Sequence, residues 1–369
     1  MEFCILNNYP QCHDFWRSLK IGDIELKFCI VFRLEVYLTK KTSKKNHHSL
    51  LVRNESWTPK RIEELFKAHR NDLSDKRLIE LKQRVVEKYL QRWHIPMLSD
   101  VNRNKFFLTN IKKNVFGKVV LDIGCGTGLL SLMAAKYGAR HVYACESNPL
   151  LYVIAKDMIS KSPFKDCITL YYCHSEKLIL GRHLPERMDL IISEIFSSDI
   201  FSEEMISVFA DSKRLLKKDG KFLPENLKVY SCLVDFEQDP SVGYTGSFMS
   251  SELNEFLGPR NLIIQLQKCK HQIISDVKIV KKIDLAETKR TKFPIRISLT
   301  RKKSMSKHPH LCIFFKLFHG DSELSSFIGK SKDVIAHHWG QVIYKTDFRE
   351  KYSFEVNLCK KSKMSIVQL

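Results

Sequence analysis

Ten residues constrain this chain more than any others: Val119-Val120-Leu121-Asp122-Ile123-Gly124-Cys125-Gly126-Thr127-Gly128. An apolar run rich in β-branched residues passes through three glycines, spaced G-x-G-x-G, into Leu129 to Lys136, which reads as a helix. Strand, tight turn and helix N-terminus in that order form the usual cradle for an adenosine-containing cofactor. Glycine lets the backbone approach a ligand where a Cβ would collide. Leu129 stands where a dinucleotide fingerprint places its third glycine. Glu146 closes a second strand-like run, His141 to Glu146, about 20 residues on, where an acidic side chain takes both ribose hydroxyls.

The surrounding pattern predicts an α/β architecture. Strands are expected at 119–124, 141–146, 167–173 and 188–195, with helices after the first, second and fourth. That rhythm implies a parallel sheet with right-handed crossovers and ligand chemistry at the carboxyl ends of the strands. Upstream, Pro59 suits a first helical turn. A second helix opens at Ser74 or Asp75, with Leu78, Leu81, Val85, Tyr89 and Leu90 at helical spacing. From Lys221 the runs are short and β-rich (222–234, 296–299, 311–318, 341–344). The expected organisation is an unassigned region 1–58, N-terminal helices 59–111 capping the cofactor site, a Rossmann-like domain 112–219, and a β-barrel 220–369. An inserted arm is expected at about 237–262, the boundary at Asp219-Gly220, and a hairpin could form within 21–38.

With 61 basic and 41 acidic residues the net charge is +20, which favours acidic partners, but the lysines are scattered as on a solvated face. No apolar run reaches the roughly 18–20 residues that span a bilayer, so no membrane association is expected. The N-terminus shows no cationic start, apolar stretch and small-residue cleavage site. Eleven cysteines include no C-x-x-C pair, and Cys145, Cys173, Cys232 and Cys312 sit in apolar strands. They read as reduced thiols of a cytoplasmic or nuclear protein. Cys4, Cys12 and His13 lack a fourth ligand, and no metal is expected.

The fourth strand runs into Ser193-Glu194-Ile195-Phe196-Ser197-Ser198-Asp199-Ile200-Phe201-Ser202-Glu203-Glu204, which sets Glu194 and Glu203 nine positions apart on one loop beside the cofactor. Paired carboxylates can hold the planar, always-charged fork of a guanidinium bidentately. They also offset its charge beside a second cation, the sulfonium of S-adenosylmethionine. Two unit charges about 4 Å apart repel by roughly 4 kcal/mol at an effective dielectric near 20, so one carboxylate only cancels the repulsion and two make the site attractive. Glu204 reads as a residue favouring the next helix N-terminus.

With these elements in place, the chain resembles the protein arginine N-methyltransferase family. The glycine turn with Glu146, the double-glutamate loop and the His337-His338-Trp339 segment occur in that family's order and spacing. The resemblance covers about 85–350 and is nearest to the branch of the seventh and ninth members, with a single catalytic module. It implies that Arg103 meets the cofactor's carboxylate, that Asp122, Gly124 and Gly126 line the site, and that Glu146 binds the ribose. It implies that Ser175 and Glu176 take the adenine, that Glu194 and Glu203 clamp the substrate arginine, and that His338 pairs with Asp100. Trp339 and Met97 would wall the arginine channel. His94 stands at a matching position of the N-terminal helices. Three features depart from the pattern: Lys88 replaces a tyrosine, with Tyr89 one position off; Ile195-Phe196 replaces Met-Gly; and His337 replaces a threonine.

The expected activity is methyl transfer from S-adenosylmethionine to arginine in protein substrates, by a homodimer. The stripe Leu253, Phe256, Leu257 on the arm would seek the partner. Nucleic acid is not required: the Asp/Asn-Pro-Pro-aromatic box of amino-methylating nucleic-acid enzymes is replaced by Ser193-Glu194-Ile195-Phe196. A non-catalytic scaffold would have no use for both Glu194 and Glu203.

Overall fold

The computed structural model describes residues 19–21, 24–26, 57–67, 76–91, 93–200, 204–236, 262–268, 270–289, 295–302, 309–327, 338–346, 350–358 and 364–368. It divides into two compact units: Met1–His94 with Ile111–His174, and Ile95–Asn110 with Ser175–Leu369.

In the first unit, β1 (Leu19–Ile21) and β2 (Ile24–Leu26) form an antiparallel pair, earlier in the chain than the hairpin expected within 21–38. Helix α1 (Pro59–Lys67) begins where Pro59 predicts, with Thr58 accepting the Arg61 N–H on its hydroxyl and the Ile62 N–H on its carbonyl. Helix α2 (Lys76–Tyr89) follows, then α3 (His94–Leu98) and α4 (Val101–Asn114), in both of which the division between units falls. Strands β3 (Val119–Ile123), β4 (His141–Glu146) and β5 (Ile168–Tyr172) pair in parallel in the order β5-β4-β3. All five residues of β3 are buried, as a strand covered on both faces requires. Between them lie α5 (Leu129–Lys136) and α6 (Pro149–Ser160). Asn148 caps α6 by accepting the Leu150 and Leu151 N–H groups, and Pro149 takes the position where a missing N–H costs nothing. Lys156 on α6 reaches Glu63 on α1 at 2.7 Å.

The second unit opens with the parallel pair β6 (Met188–Ser193) and β7 (Leu216–Leu223), joined through α7 (Met205–Ser212). The boundary read at Asp219-Gly220 falls inside β7. The ladder shifts register between Met188 and Leu190, and a Cβ at Gly220 would lie 2.8 Å from the Met188 carbonyl. The glycine marks a strand irregularity with close backbone approach, which in sequence looks the same as a break. The antiparallel part begins at β8 (Asn226–Phe236). With β9 (Leu262–Ile264), β10 (His271–Ile273), β11 (Lys278–Asp284), β13 (His310–His319), β14 (Ser322–Ser325) and β15 (Gln341–Lys345) it forms a seven-stranded sheet. A second sheet has the order β12 (Ile295–Thr300), β16 (Lys351–Leu358), β17 (Met364–Gln368). Strand β12 alternates Ile295, Ile297 and Leu299 inward with Arg296, Ser298 and Thr300 outward. Cys232 and Cys312 face each other across β8 and β13 in the core.

An aromatic column fills the second unit. Phe209 packs edge-on to Phe222 at 5.1 Å and stacks on Phe196 at 5.8 Å, while Phe315 lies 6.2 Å from Phe196 and 5.1 Å from Trp339. Among the described residues none of six cysteines is in a disulfide, and no helix is long and apolar enough to cross a membrane. Cys4, Cys12, His13 and the arm residues 237–261 lie outside the described residues. Phe315 is fully buried between two further rings, so Phe315→Ala should destabilise the second unit by about 3–5 kcal/mol, the usual cost of the lost transfer energy and the cavity. Urea unfolding followed by tryptophan fluorescence measures the shift.

Candidate functional site

The glycine turn belongs to the first unit. Gly124 and Gly126 adopt left-handed conformations (φ +68° and +57°), and a Cβ at Gly126 would meet nothing within 4 Å. The backbone there faces open space, as a ligand cradle requires. Gly128 (φ +84°) has a different reason: a Cβ there would sit 3.6 Å from Ala155 and Ile159, so helix α6 closes on the turn. The Gly124 and Cys125 N–H groups donate to the Cys145 carbonyl and tie the turn to the end of β4. Asp122, fully buried, accepts the Ser131 hydroxyl at 2.6 Å and braces the first turn of α5 against β3.

Glu146 ends β4 almost buried. Its Oε2 accepts the Gly126 N–H at 2.8 Å and its Oε1 the Asn148 N–H at 2.7 Å. Burial pushes its carboxyl up, against the lowering effect of these N–H bonds. The Ser147 N–H acts on the same carboxylate, which has roughly four lone-pair sites and so keeps acceptor capacity for a hydroxyl while held. Open backbone at Gly126 beside a two-oxygen acceptor fits an adenosine ribose.

The remaining residues read from the sequence lie in the second unit, apart from His94, whose ring stacks on Trp93 at 4.0 Å. Ser175 and Glu176 form a tight turn whose carbonyls, with that of Leu178, accept from Arg214 at 3.3, 3.1 and 2.6 Å. Met97 is buried in α3. Asp100, wholly buried, accepts the Arg103 N–H on Oδ1 at 3.0 Å, which caps α4. Its Oδ2 accepts both the backbone N–H of His338 at 3.2 Å and the ring Nδ1 at 2.9 Å. A carboxylate only accepts, so Nδ1 carries the proton. Burial holds the imidazole below its ordinary 6.5, against the opposing pull of Asp100 and Glu194.

Glu194 lies one residue past β6. Arg103 donates to its Oε2 from Nε at 3.0 Å and from a terminal nitrogen at 2.8 Å, with both side chains about 5% exposed or less. The sequence alone does not show this pairing: it offers Glu194 as a free counter-charge, whereas Arg103 already offsets it. Glu194 Oε1 carries no hydrogen bond among the described residues. The loop beyond is pinned: the Phe196 carbonyl accepts the Trp339 indole N–H at 2.5 Å, and the Gly340 N–H donates to Ser198. Buried Ile200 takes φ +73° and Glu204 φ +55°, both left-handed; for a β-branched residue that costs roughly 1–2 kcal/mol. Glu204 stands at the N-cap of α7 without a side-chain cap bond. Glu203 and His337 lie outside the described residues.

Asn148, Arg214 and Phe196 take part without having been singled out. Asn148 was legible as a cap before Pro149. Arg214 and Phe196 carry no local signal, because their partners are 36 and 143 positions away.

The family model for ribosomal protein L11 methyltransferase (PrmA) matches residues 107–224. The chain is 32% identical to the arginine N(omega)-methyltransferase of Streptomyces achromogenes over 209 residues, which is 55% of the chain and 58% of that protein. It is 37% identical to mouse protein arginine N-methyltransferase 9 over 145 residues, 39% of the chain and 17% of the relative. The chain thus covers less than two thirds of either relative. Among solved structures, Arabidopsis thaliana protein arginine methyltransferase 10 superposes with a TM-score of 0.60 at 19% identity, covering 76% of this chain and 92% of that one. The Trypanosoma brucei PRMT1 enzyme–prozyme complex with AdoHcy gives 0.57 at 22%, covering 72% and 86%. The fold is therefore the Rossmann-like methyltransferase domain followed by an antiparallel domain.

Because its folded pKa is lowered, His338 binds a proton more readily in the unfolded chain. Its contribution to stability is complete above about 6.5 and is lost as the pH falls below that value. The stability of wild type relative to His338→Gln should therefore shrink from pH 7 to pH 5, as read from urea unfolding at each pH.

Proposed function

We propose that the chain is an S-adenosylmethionine-dependent protein-arginine N-methyltransferase of the seventh- and ninth-member branch. One observation carries the reading: Glu194 presents a buried carboxylate at the carboxyl end of β6, with Oε2 held by Arg103 and no hydrogen bond to Oε1 among the described residues. An oxygen fixed in place and desolvated is what a guanidinium needs to be held in one orientation. The bound cofactor would supply an electrophilic methyl on a sulfonium. Gly124, Gly126 and Glu146 would hold its adenosine and methionine parts, Ser175 and Glu176 its adenine, and Asp122 would brace the turn from below. Arg103 would share its guanidinium between Glu194 and the cofactor's carboxylate. Glu203 would supply the second carboxylate, and with Arg103 offsetting Glu194 the site depends on it more than sequence counting implies. Asp100 would fix His338, with Trp339 and Met97 shaping the arginine channel. Catalysis would rest on positioning and charge, without a strong base, because the proton becomes acidic as the new bond forms. The relatives' names support arginine as acceptor. A second reading, free arginine, draws on the Streptomyces relative, which is named for arginine and not for protein arginine. The buried thiols suit a reducing compartment, cytoplasm or nucleus.

Glu194→Gln keeps the shape and removes the charge. Turnover should fall at least about a hundredfold, or about 2.7 kcal/mol, while the variant still binds S-adenosylhomocysteine. Mass spectrometry of arginine peptides and of free L-arginine after incubation with labelled cofactor measures the rate and decides between the two acceptors. Wild-type turnover in the variant would refute the clamp.

We also propose that the chain acts as a homodimer through the arm at about 237–262, whose Leu253, Phe256 and Leu257 are spaced i, i+3, i+4 in the sequence. Sedimentation at micromolar concentration should show a dimer for wild type and a monomer for Phe256→Glu. A wild-type monomer with full activity removes the proposal.

A further inference from the structure

Asn148 makes three separate sets of contacts within the first unit. Its backbone N–H donates to Glu146 Oε1 at 2.7 Å. Its side-chain Oδ1 accepts the Leu150 and Leu151 N–H groups at 3.0 and 3.2 Å, capping α6. Its Nδ2 donates at 2.6 Å to the carbonyl of Tyr89, the last residue of α2. A carbonyl at a helix C-terminus has no intrahelical partner, so this bond satisfies a group that would otherwise need water. The Tyr89 phenol in turn accepts the Trp57 N–H at 3.2 Å. A line of hydrogen bonds therefore runs from Trp57 through Tyr89 and Asn148 to Glu146, and on to the Gly126 N–H.

We infer that Asn148 is a positioning residue for the Glu146 carboxylate, holding the end of α2 in register with it. The cap alone does not require asparagine, since serine, threonine or aspartate would serve α6 as well. A hydroxyl donates from the same oxygen that caps α6; only a carboxamide carries donor and acceptor on separate atoms, so that one caps α6 while the other holds the Tyr89 carbonyl. Placing the end of α2 and the Glu146 carboxylate on one residue means that loosening the helix loosens the acceptor. Ordering α2 before binding lowers the conformational cost charged against affinity. The inference rests on the cofactor reading of Glu146 and is independent of the methyl acceptor.

Asn148→Ser tests it, because serine keeps an oxygen for the cap and the backbone N–H to Glu146 but cannot reach Tyr89. Titration calorimetry with S-adenosylhomocysteine on the full chain should show affinity about tenfold weaker, in line with loss of one well-made hydrogen bond and its ordering. Hydrogen exchange should quicken in the last turn of α2, and the thermal midpoint should stay near that of wild type. Asn148→Asp, which also keeps the cap and lacks the donor, should exchange in the same way. In turnover, the KM for S-adenosylmethionine should rise with kcat unchanged. Wild-type affinity and wild-type α2 exchange in Asn148→Ser would overturn the inference. If the wild-type chain itself fails to bind S-adenosylhomocysteine, the cofactor reading falls and this role falls with it. A wild-type chain that binds but methylates no arginine tells against the proposed activity alone, and the Asn148 comparison is decided as before.

Discussion

The second unit depends on one buried ion pair. Taking the Arg103 guanidinium and the Glu194 carboxylate out of water costs several kcal/mol per ion, and attraction repays this only when geometry and further hydrogen bonds are good. Both conditions are met. A further Arg103 nitrogen donates to Asn104, whose amide donates to the Leu98 carbonyl, and the guanidinium lies 5.3 Å from the Phe107 ring. Asp100 caps the helix that carries Arg103, so the orientation of α4 and the position of the cation are set by one side chain. The aromatic column then has a second purpose beyond its buried area. Through the Trp339 indole and the Phe196 carbonyl it fixes the loop that leaves Glu194, in a segment already strained at Ile200. Strain of that kind persists only where surrounding structure over-determines the backbone.

Much of this was legible in the sequence, and the limits are physical. The glycine turn, Glu146 and the strands around them are local: a period of two or a G-x-G-x-G spacing is written within ten residues, and strand ends fall within two residues of expectation. Thr58-Pro59 and Asn148-Pro149 are equally local cap signals. The meeting of Asp100 and His338 spans 238 positions and was legible only through family resemblance. The Arg103–Glu194 pair shows the other limit. Sequence reading treated the two as serving separate groups, because composition records charges and says nothing of which ones neutralise each other. Gly220 shows a related limit: read in sequence as a break, it stands inside β7, where the backbone comes close to Met188.

Three buried carboxylates show how one functional group is given different chemistry by what occupies its two oxygens. Asp100 spends Oδ1 on a helix cap and Oδ2 on the backbone N–H and the ring Nδ1 of His338, so it is a fixed structural anion that sets the tautomer of its neighbour. Glu146 is held on both oxygens by backbone N–H groups, which orient it without neutralising it, and its remaining lone-pair sites suit neutral hydroxyl donors. Glu194 alone is held on one oxygen by a cation, leaving Oε1 open among the described residues. A new cation could approach Oε1 without breaking an existing bond. The approach would meet a pair already close to neutral, so orientation would come from Glu194 while most of the added charge compensation would have to come from elsewhere on the loop. In the proposed reading, that division of labour would give a physical reason for a second carboxylate at Glu203, with Glu194 the fixed guide and Glu203 the counter-charge.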